Sequence, residues 1–567
     1  MLLHTLQELI ALASIRGDSA EAALLTRAVE LVSARNIATD ADLGPLLESD
    51  TLNDGPLRAR LRQMYEAGAW VLRELAIADL PADLRWLFES GAVTLDQLAT
   101  LHRTLDVTAL ADLLSAVRRE SIRTTVGFDR QIESAVADAL PTIRSSVPRI
   151  PLGRAMAIAE PFLTLARSQP GVTWAEPAGS LRRGQETVGD IELVVAVLEP
   201  DHLFAAILDQ LEISRVLHRS ARRLYVLTDG VQVGVRCPAP SYAGAVLVHM
   251  TGSQEHVGQL HARAVRQGHA LRPDGLSGPA GELPCATEEE LYTGLDLQWI
   301  PAEIRNGEDE LRAAETGTLP RLIDRRDIRG DLHLHTDYSD GRDSVEAMVQ
   351  AAIALGYEYV AITDHSPHSA ASRSLSIESV GRQRDEIAGL RERYPDIAIL
   401  HGCEVDILSD GRLDFPDAVL ERLDIVLASL HERASHNAEQ LLQRYLGAMR
   451  HPLVNVITHP TNRQVPHRLG YDLNYDRLFA AAVETGTVVE IDGAPAHMDL
   501  DGTLARRAAS AGAMVAVSSD SHRADVLRRQ MGLGLKIARR GWIEARHVLN
   551  TRPLDQVRSL VAGKRRP

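Results

Sequence analysis

The stretch DLHLHTDYSDG, residues 331–341, reads as a short strand that runs into a turn. Side chains two residues apart on a strand point to the same face, so His333 and His335 project together. Asp340 can fold back from the turn beside them. Two neutral imidazoles and a carboxylate suit a divalent metal such as zinc or manganese. Because the chain contains 21 His, this pair alone says little, and the residues downstream decide its meaning.

The chain after residue 331 alternates strand and helix about seven times. Strands are predicted at DLHLH, YEYVAIT, IAILHGCEV, DIVLAS, VNVIT, TVVEI and MVAVS. Such alternation implies a parallel sheet with right-handed crossovers. Seven units predict a barrel with one unit fewer than a TIM barrel, and such barrels carry their sites at the carboxyl ends of the strands.

Six of these seven strands end in a histidine or a carboxylate at that same edge. With the aspartate of the turn, the predicted metal ligands are His333, His335, Asp340, His365, Glu404, His431, His459, Asp520 and His522. Catalytic roles are expected for His333, His335, Asp340, Glu404 and Asp520. So many ligands exceed what one tetrahedral zinc needs and suit two or three ions that share carboxylates. A metal cluster of this kind lowers the pKa of bound water and clamps a phosphate between metals, so phosphoester hydrolysis is the expected reaction.

Three polar residues follow the predicted ligands closely. Ser366, Arg433 and Arg463 are candidates for positioning a phosphate, and an ordinary surface role is an equal alternative for each.

A second stretch, GSLRRGQETVGDIELVVAV, starts at Gly179. Its end, IELVVAV, is a buried strand by its Val, Ile and Leu content. Asp190 and Glu192 flank one residue, so both carboxylates face one side and can hold Mg²⁺ for phosphoryl transfer. Gly179 and Ser180 can bring backbone N–H groups to a phosphate, and Arg182 and Arg183 can pair with its oxygens. The alternative is an exposed Arg-Arg turn before an edge strand.

This second stretch resembles the palm motif of family X DNA polymerases, and MTGSQEHVGQLHARAVRQG, from Met250, resembles that family's thumb motif. The run from Ala286 to Ile323, followed by RGDLHLHTDYSDG, is similar to the way bacterial members join the thumb to a PHP (polymerase and histidinol phosphatase) domain. The resemblance covers roughly residues 1–567, is weakest before 145 and strongest after 285. It implies a three-metal cluster, whose nine motif positions are all filled, and nucleotide binding by Thr251, Gly252 and Ser253.

The expected fold is multidomain, α plus α/β. Apolar residues recur at a spacing of three and four before residue 145, which predicts helices throughout that segment. The expected domains are a helix-hairpin-helix-like domain (1–78), a fingers-like helical domain (79–148), a nucleotidyltransferase palm (149–240), a thumb (241–318), a linker (319–328) and a seven-stranded (β/α) PHP barrel (329–567).

The palm departs from the family pattern at one decisive position. Family X palms use three carboxylates, of which Asp190 matches the first and the longer Glu192 stands at the second. Gly234, in VQVGVR, stands where the third is expected. Asp229 is near in sequence, but it falls in a turn and is poorly placed to substitute. Polymerase activity is therefore expected to be weak or lost.

Other positions depart from the family as well. His249-Met250 replace an aromatic pair, and Val257 replaces an Asn. The Gly-X-Gly hairpins that grip the DNA backbone are eroded at residues 53–56 and 80–83, which removes N–H donors for phosphate. Asp492 and His497 stand where related proteins tend to show Asn and Arg, so substrate contacts there are expected to differ.

Composition limits the remaining choices. With 567 residues, of which 45% are hydrophobic, the chain is expected to form three to four domains at about 150 residues each. A net charge of −16 argues against a dedicated DNA-coating protein. The three cysteines lack zinc-knuckle spacing, and no run of about 18 apolar residues occurs. Without a convincing signal peptide, we expect a cytoplasmic, nucleoid-associated protein and no membrane partner.

The resemblance implies a DNA repair enzyme whose PHP domain removes nucleotides in the 3′→5′ direction. Its expected cofactors are two or three Mn²⁺ or Zn²⁺ ions in the PHP site, with Mg²⁺ or Mn²⁺ in the palm. Its expected partners are primer–template DNA, gapped DNA or 3′ ends, together with a dNTP. The alternatives are a small-molecule phosphatase of the histidinol-phosphate type and a catalytically silent DNA-binding scaffold.

Overall fold

The computed structural model describes residues 2–48, 52, 54–146, 148–369 and 373–564. It contains two compact units. The first unit comprises Met1–Arg149, Met156–Gly179 and Gly189–Trp299, and the second comprises Ile150–Ala155, Ser180–Val188 and Ile300–Pro567. The finer division into six domains stays a prediction. None of the described helices combines the length and the apolar character that crossing a bilayer requires.

The amino-terminal part of the first unit is helical, as the apolar spacing predicts. Its helices are α1 Leu2–Arg16, α2 Ser19–Ala34, α3 Gly44–Glu48, α4 Gly55–Ala67, α5 Ala69–Ala78, α6 Ala82–Glu89, α7 Leu95–Leu105, α8 Leu110–Arg118 and α9 Arg130–Ser146. Leu2, Leu6 and Leu9 share one face of α1 and are buried. The eroded hairpin at residues 53–56 includes Asn53, which lies outside the described residues, and Asp54 caps α4 by accepting from Leu57 N at 3.1 Å.

The segment 150–236, where a palm is predicted, contains both strands and helices, and its residues 150–155 and 180–188 belong to the second unit. Its elements are β1 Ile150–Pro151, α10 Leu152–Ser168, β2 Val172–Pro177, α11 Gly179–Arg182, β3 Thr187–Val188, β4 Ile191–Val197, α12 Asp201–Gln210, β5 Arg215–Arg219, β6 Arg223–Thr228 and β7 Val231–Arg236. Five of the strands form a sheet in the order β2-β4-β7-β6-β5, in which β4 and β7 are parallel and the other pairs antiparallel. Every residue of β4 is buried. The edge-strand alternative is therefore wrong, since β4 lies between β2 and β7.

The segment 243–294, where a thumb is predicted, consists of two helices, a small sheet and one further helix. They are α13 Ala243–Thr251, α14 Gln254–Arg266, β8 Ala270–Arg272, β9 Gly275–Gly278, β10 Gly281–Leu283 and α15 Glu288–Gly294. Ser253 begins α14 by accepting a hydrogen bond from His256 N at 3.2 Å. The three cysteines, Cys237, Cys285 and Cys403, are buried and free.

The second unit contains seven parallel strands, as predicted. In chain order its elements are α16 Glu310–Thr316, β11 Gly330–Asp331, α17 Val345–Ala354, β12 Tyr359–Ile362, α18 Ile377–Arg393, β13 Ala398–Asp406, α19 Asp417–Leu420, β14 Ile425–Ser429, α20 Ala438–Arg450, β15 Val456–Ile457, α21 Tyr475–Thr485, β16 Val488–Asp492, α22 Gly502–Ser510, β17 Val515–Ser518, α23 Leu527–Arg540 and α24 Leu554–Lys564. The strand order is sequential from β11 to β17, which is what right-handed βαβ crossovers produce.

Hydrogen bonds between the first and last strand segments close this sheet into a barrel. Asp520 N donates to His333 O at 3.0 Å, and His335 N donates to Ser521 O at 2.9 Å. The first strand is shorter than predicted, because its ladder with β12 covers only Gly330 and Asp331. Beyond that ladder, Leu334 O accepts from Thr363 N at 3.0 Å, directly after β12, while Leu334 also forms a parallel bridge with Ser521.

Candidate metal centre

Two histidines and an aspartate meet where the first and last strands of the barrel end. The Nε2 atoms of His333 and His335 lie 3.1 Å apart, as expected for side chains on one face of a strand. Asp520 Oδ1 lies 3.1 Å from His335 Nε2 and 3.7 Å from His333 Nε2. All three side chains are buried. Their nitrogen and oxygen atoms therefore face one small volume.

Glu404, on β13, lies between this group and a second group of histidines. Its Oε2 is 3.5 Å from His333 Nε2 and 2.8 Å from His365 Nδ1. Its Oε1 is 2.8 Å from His459 Nε2 and 3.5 Å from His431 Nε2. One carboxylate thus borders two sets of imidazoles, which is the arrangement of a bridging ligand.

A third group forms around Asp340. Its Oδ1 lies 3.2 Å from His522 Nε2 and 3.6 Å from His365 Nε2. The turn that carries Asp340 is fastened to the barrel by buried Asp364, which accepts from Thr336 N at 2.8 Å. All nine residues named from the sequence therefore lie together at the carboxyl ends of the strands.

The chemistry of this donor set fits divalent metal. Glu404 Oε2 and Asp520 Oδ1 are buried, and neither accepts a well-formed hydrogen bond from the part of the chain that the structure describes. Burial and the neighbouring His365 and His522 lower the pKa of His335 to about 4, which keeps that ring in the neutral, ligating form. Burial disfavours a charge on His333, yet Glu490, Asp520 and Glu404 outweigh it and raise its pKa well above the ordinary value. Such an excess of buried carboxylate favours a bound cation.

Carboxylates behind the histidines orient the rings. Glu490 Oε1 lies 2.8 Å from His333 Nδ1, and Asp406 Oδ1 lies 3.0 Å from His431 Nδ1. Ser366 supports Asp406, since its Oγ accepts from Asp406 N at 3.0 Å. Sequence reasoning missed Glu490 and Asp406. For Asp406 a signal existed, because it follows Glu404 by two residues on one strand and so shares its face.

The arginines near the centre are engaged with protein groups. Arg463 Nε donates to His497 O at 3.1 Å, and Arg463 NH2 lies 3.5 Å from Glu186 Oε1. Arg433 Nε donates to His436 O at 3.1 Å. These contacts favour a role for Arg463 in fixing the loop that carries His497 rather than in holding phosphate directly.

The palm has no room for a third carboxylate. Gly234 pairs with Glu192 across β4 and β7 and with Tyr225 across β6 and β7. A Cβ on residue 234 would lie 2.6 Å from Glu192 Oε1 and 2.6 Å from Tyr225 Cε1. The longer second carboxylate and the tyrosine ring therefore fill the position. Asp229 lies in the turn between β6 and β7 with φ of 48°, as expected.

A buried ion pair stands beside that position. Arg236 binds Asp112 with both guanidinium NH groups, at 2.8 and 2.6 Å. Burial opposes the charge of Asp112, but Arg236 and Arg223 together hold its pKa well below the usual range. Burial raises the pKa of Glu192 well above its ordinary value, with Asp190 adding to the effect. Glu192 thus lies near Arg236, whose guanidinium is already paired with Asp112.

The residues expected to bind nucleotide fall in both compact units. Gly179 and the Thr251-Gly252-Ser253 segment belong to the first, whereas Ser180 and Arg183 belong to the second. Arg183 is only 6% exposed. The alternative of an exposed Arg-Arg turn is therefore wrong for Arg183.

Comparisons with known proteins agree with this architecture. The family model of the PHP domain matches residues 331–464, and that of the DNA polymerase beta thumb matches residues 246–306. A Bacillus subtilis protein named DNA polymerase/3'-5' exonuclease PolX is 31% identical over 468 residues, which cover 82% of each chain. The chain belongs to the PolX family.

Other relatives of this PolX family member match a smaller share of the chain. A probable phosphatase from Thermoanaerobacter is 28% identical over 249 residues, which cover 42% of this chain and 95% of the relative. A probable phosphatase from Acetivibrio thermocellus is 31% identical over 202 residues, which cover 34% of this chain and 78% of the relative.

Proposed function

We propose that this protein is a metal-dependent 3′→5′ DNA exonuclease whose polymerase activity is weak or lost. The observation that carries the proposal is the convergence of nine histidine and carboxylate side chains, all potential metal ligands, at one end of the barrel. In the same chain Gly234 stands at the position where a third palm carboxylate is expected. The proposed ligands are the nine residues named above, and the proposed ions are two or three Mn²⁺ or Zn²⁺.

Divalent ions at such a site supply water of lowered pKa and positive charge for the phosphate. Buried carboxylates of the protein orient the proposed metal ligands before any ion binds. Glu490 and Asp406 hold the rings of His333 and His431, and Asp364 holds the turn of Asp340. Preorganised donors lose little freedom on binding, which is why substitutions behind metal ligands weaken metal sites.

The proposed partners are DNA with a free 3′ end, either primer–template or gapped, and a dNTP at the palm and thumb. We propose Gly179, Ser180, Arg183, Asp190, Glu192, Thr251, Gly252 and Ser253 as its binding residues. Mg²⁺ or Mn²⁺ would be held by Asp190 and Glu192. A substrate of this kind implies that the protein acts at the nucleoid.

The test is a 5′-labelled primer–template incubated with Mn²⁺ or Mg²⁺, with or without dNTPs. We expect Mn²⁺-dependent shortening, which the His333→Ala/His335→Ala protein should lack because two ligands on one strand are gone. His451→Ala is the matched control, since His451 lies between α20 and β15 at the amino end of that strand. Shortening by the double variant at the parent rate would exclude the barrel as the nuclease.

A second candidate, a small-molecule phosphatase, is favoured by the relatives that are named probable phosphatases. Histidinol phosphate and the labelled oligonucleotide, offered to the same preparation, separate the two. Release of phosphate from histidinol phosphate with an intact oligonucleotide would support the phosphatase.

A further inference from the structure

A fourth group of potential ligands lies beside the nine-residue cluster. Asp492, at the end of β16, His497 and Asp520 offer one donor atom each, all within 4.8 Å of one another. Only Asp520 belongs to the nine. The other two side chains have no part in the site as described so far.

Asp492 is fully buried, and only one of its two carboxylate oxygens accepts a hydrogen bond from the described residues. Its Oδ1 accepts a hydrogen bond from Ala494 N at 2.6 Å. Its Oδ2 has no hydrogen-bond partner among the described residues. A buried carboxylate oxygen without a donor is costly, because desolvation of the group is not offset. A bound cation at this oxygen would offset the cost.

His497 is held as a ligand would be. Its Nδ1 lies 3.1 Å from Arg463 O, so this nitrogen carries the proton and Nε2 keeps its lone pair. Arg463 fixes the same loop by donating to His497 O at 3.1 Å. The ring stacks on His459 with centroids 5.2 Å apart. A backbone carbonyl behind one imidazole nitrogen is the usual support of a ligating histidine.

We propose that Asp492, His497 and Asp520 bind one further divalent cation, next to the nine-residue cluster. This proposal rests on the proposed function, because Asp520 is shared with that cluster. Two carboxylates and one imidazole suit an ion of the manganese or zinc kind. The rival account is that Asp492 carries a proton and binds no ion.

The test measures bound metal rather than activity. Full-length protein is stripped with a chelator and dialysed to equilibrium against Mn²⁺, and bound manganese is counted by mass spectrometry. We expect Asp492→Asn and His497→Asn each to bind one equivalent less than the parent. The control is Asp499→Asn, which also removes a buried carboxylate, one that accepts from Thr461 N at 3.0 Å and is absent from the fourth group. Circular dichroism establishes that each variant is folded.

The outcomes separate this proposal from the previous one. A parent that binds neither manganese nor, in a parallel dialysis, zinc would overturn both. If the parent binds manganese and both Asp492→Asn and His497→Asn bind the same number of equivalents, the fourth site alone is overturned. The same holds if the two variants bind the same number of equivalents with weaker affinity. Loss of the same equivalent from Asp499→Asn would also overturn it, since the effect would then follow from any buried carboxylate.

Discussion

Glu490 Oε1 lies 2.8 Å from His333 Nδ1, and both side chains are fully buried. The other oxygen of Glu490 accepts from His459 N at 2.9 Å. The Glu490 carboxylate thus fixes both the ring of His333 and the backbone at His459, which follow two different strands. Glu490 therefore orients proposed metal ligands. Its substitution is expected to weaken metal affinity more than it destabilises the fold.

The first prediction follows from this contact. Glu490→Ala should weaken Mn²⁺ binding by roughly 10–100-fold, and Glu490→Gln by less, because the amide oxygen can still accept from His333. Competition with a chelating dye measures the affinity. Glu358→Gln is the control, since Glu358 pairs with Arg329 at the partly exposed amino end of β12. Equal affinities for Glu490→Ala and the parent would exclude the orienting role.

The second prediction concerns the space around Gly234. Gly234→Ala should lower the free energy of unfolding by about 1–3 kcal/mol, because its Cβ would overlap Glu192 and Tyr225. Gly275→Ala is the control, since nothing lies within 4 Å of the Cβ position there. Urea unfolding compares the two proteins, and similar losses for both would contradict the steric account.

A related expectation concerns DNA synthesis. Gly234→Asp adds the third carboxylate and is combined with Glu192→Asp and Tyr225→Ala, because a Cβ at residue 234 would lie 2.6 Å from each of those two side chains. In a His333→Ala background, primer extension should rise about tenfold over the parent, since an added charge near the catalytic metal stabilises the transition state. Brisk Mg²⁺-dependent synthesis by the unmodified protein would mean that another carboxylate, Asp229 first, reaches the site.

The third prediction is a pH dependence of stability. Burial, and then the charge of Asp190, raise the pKa of Asp83 from 3.8 to about 7. The folded state therefore binds this proton more tightly than the unfolded state. Its stabilising contribution is complete below the unfolded pKa of 3.8 and is lost as the pH rises through about 7.

The measurement compares the parent with Asp83→Asn. From pH 4.5 to 7, the free energy of unfolding of the parent should fall relative to the variant by up to roughly 1.4 kcal/mol per pH unit. The control is Asp209→Asn, which alters an exposed residue of α12. A constant difference between parent and Asp83→Asn across this range would show that Asp83 does not titrate there.

The fourth prediction uses the scarcity of lysine. Residues 1–320 contain none, and a Schiff base with an abasic sugar needs a lysine amine. Borohydride trapping on an incised abasic substrate should give no adduct within that region. Burial lowers the pKa of Lys564 to about 8, so a trace of adduct elsewhere should disappear in Lys564→Arg. An adduct that maps before residue 320 would refute this.

The sequence by itself determined the barrel and its nine proposed ligands. Strand–helix alternation and the two-residue period of His333 and His335 are local properties, and parallel strands bring their carboxyl ends to one edge. The absence of a carboxylate at Gly234 could also be read directly. These features follow from residues that are close together in the chain, so the sequence shows them directly.

Only the tertiary structure decided which groups complete each site. Glu490 reaches His333 across 157 residues, and the space at Gly234 is filled by Glu192 and by Tyr225 from the adjacent strand. The unpaired oxygen of Asp492 is visible only once its surroundings are known. Such contacts arise from packing and desolvation between distant segments, and no local period in the sequence encodes them.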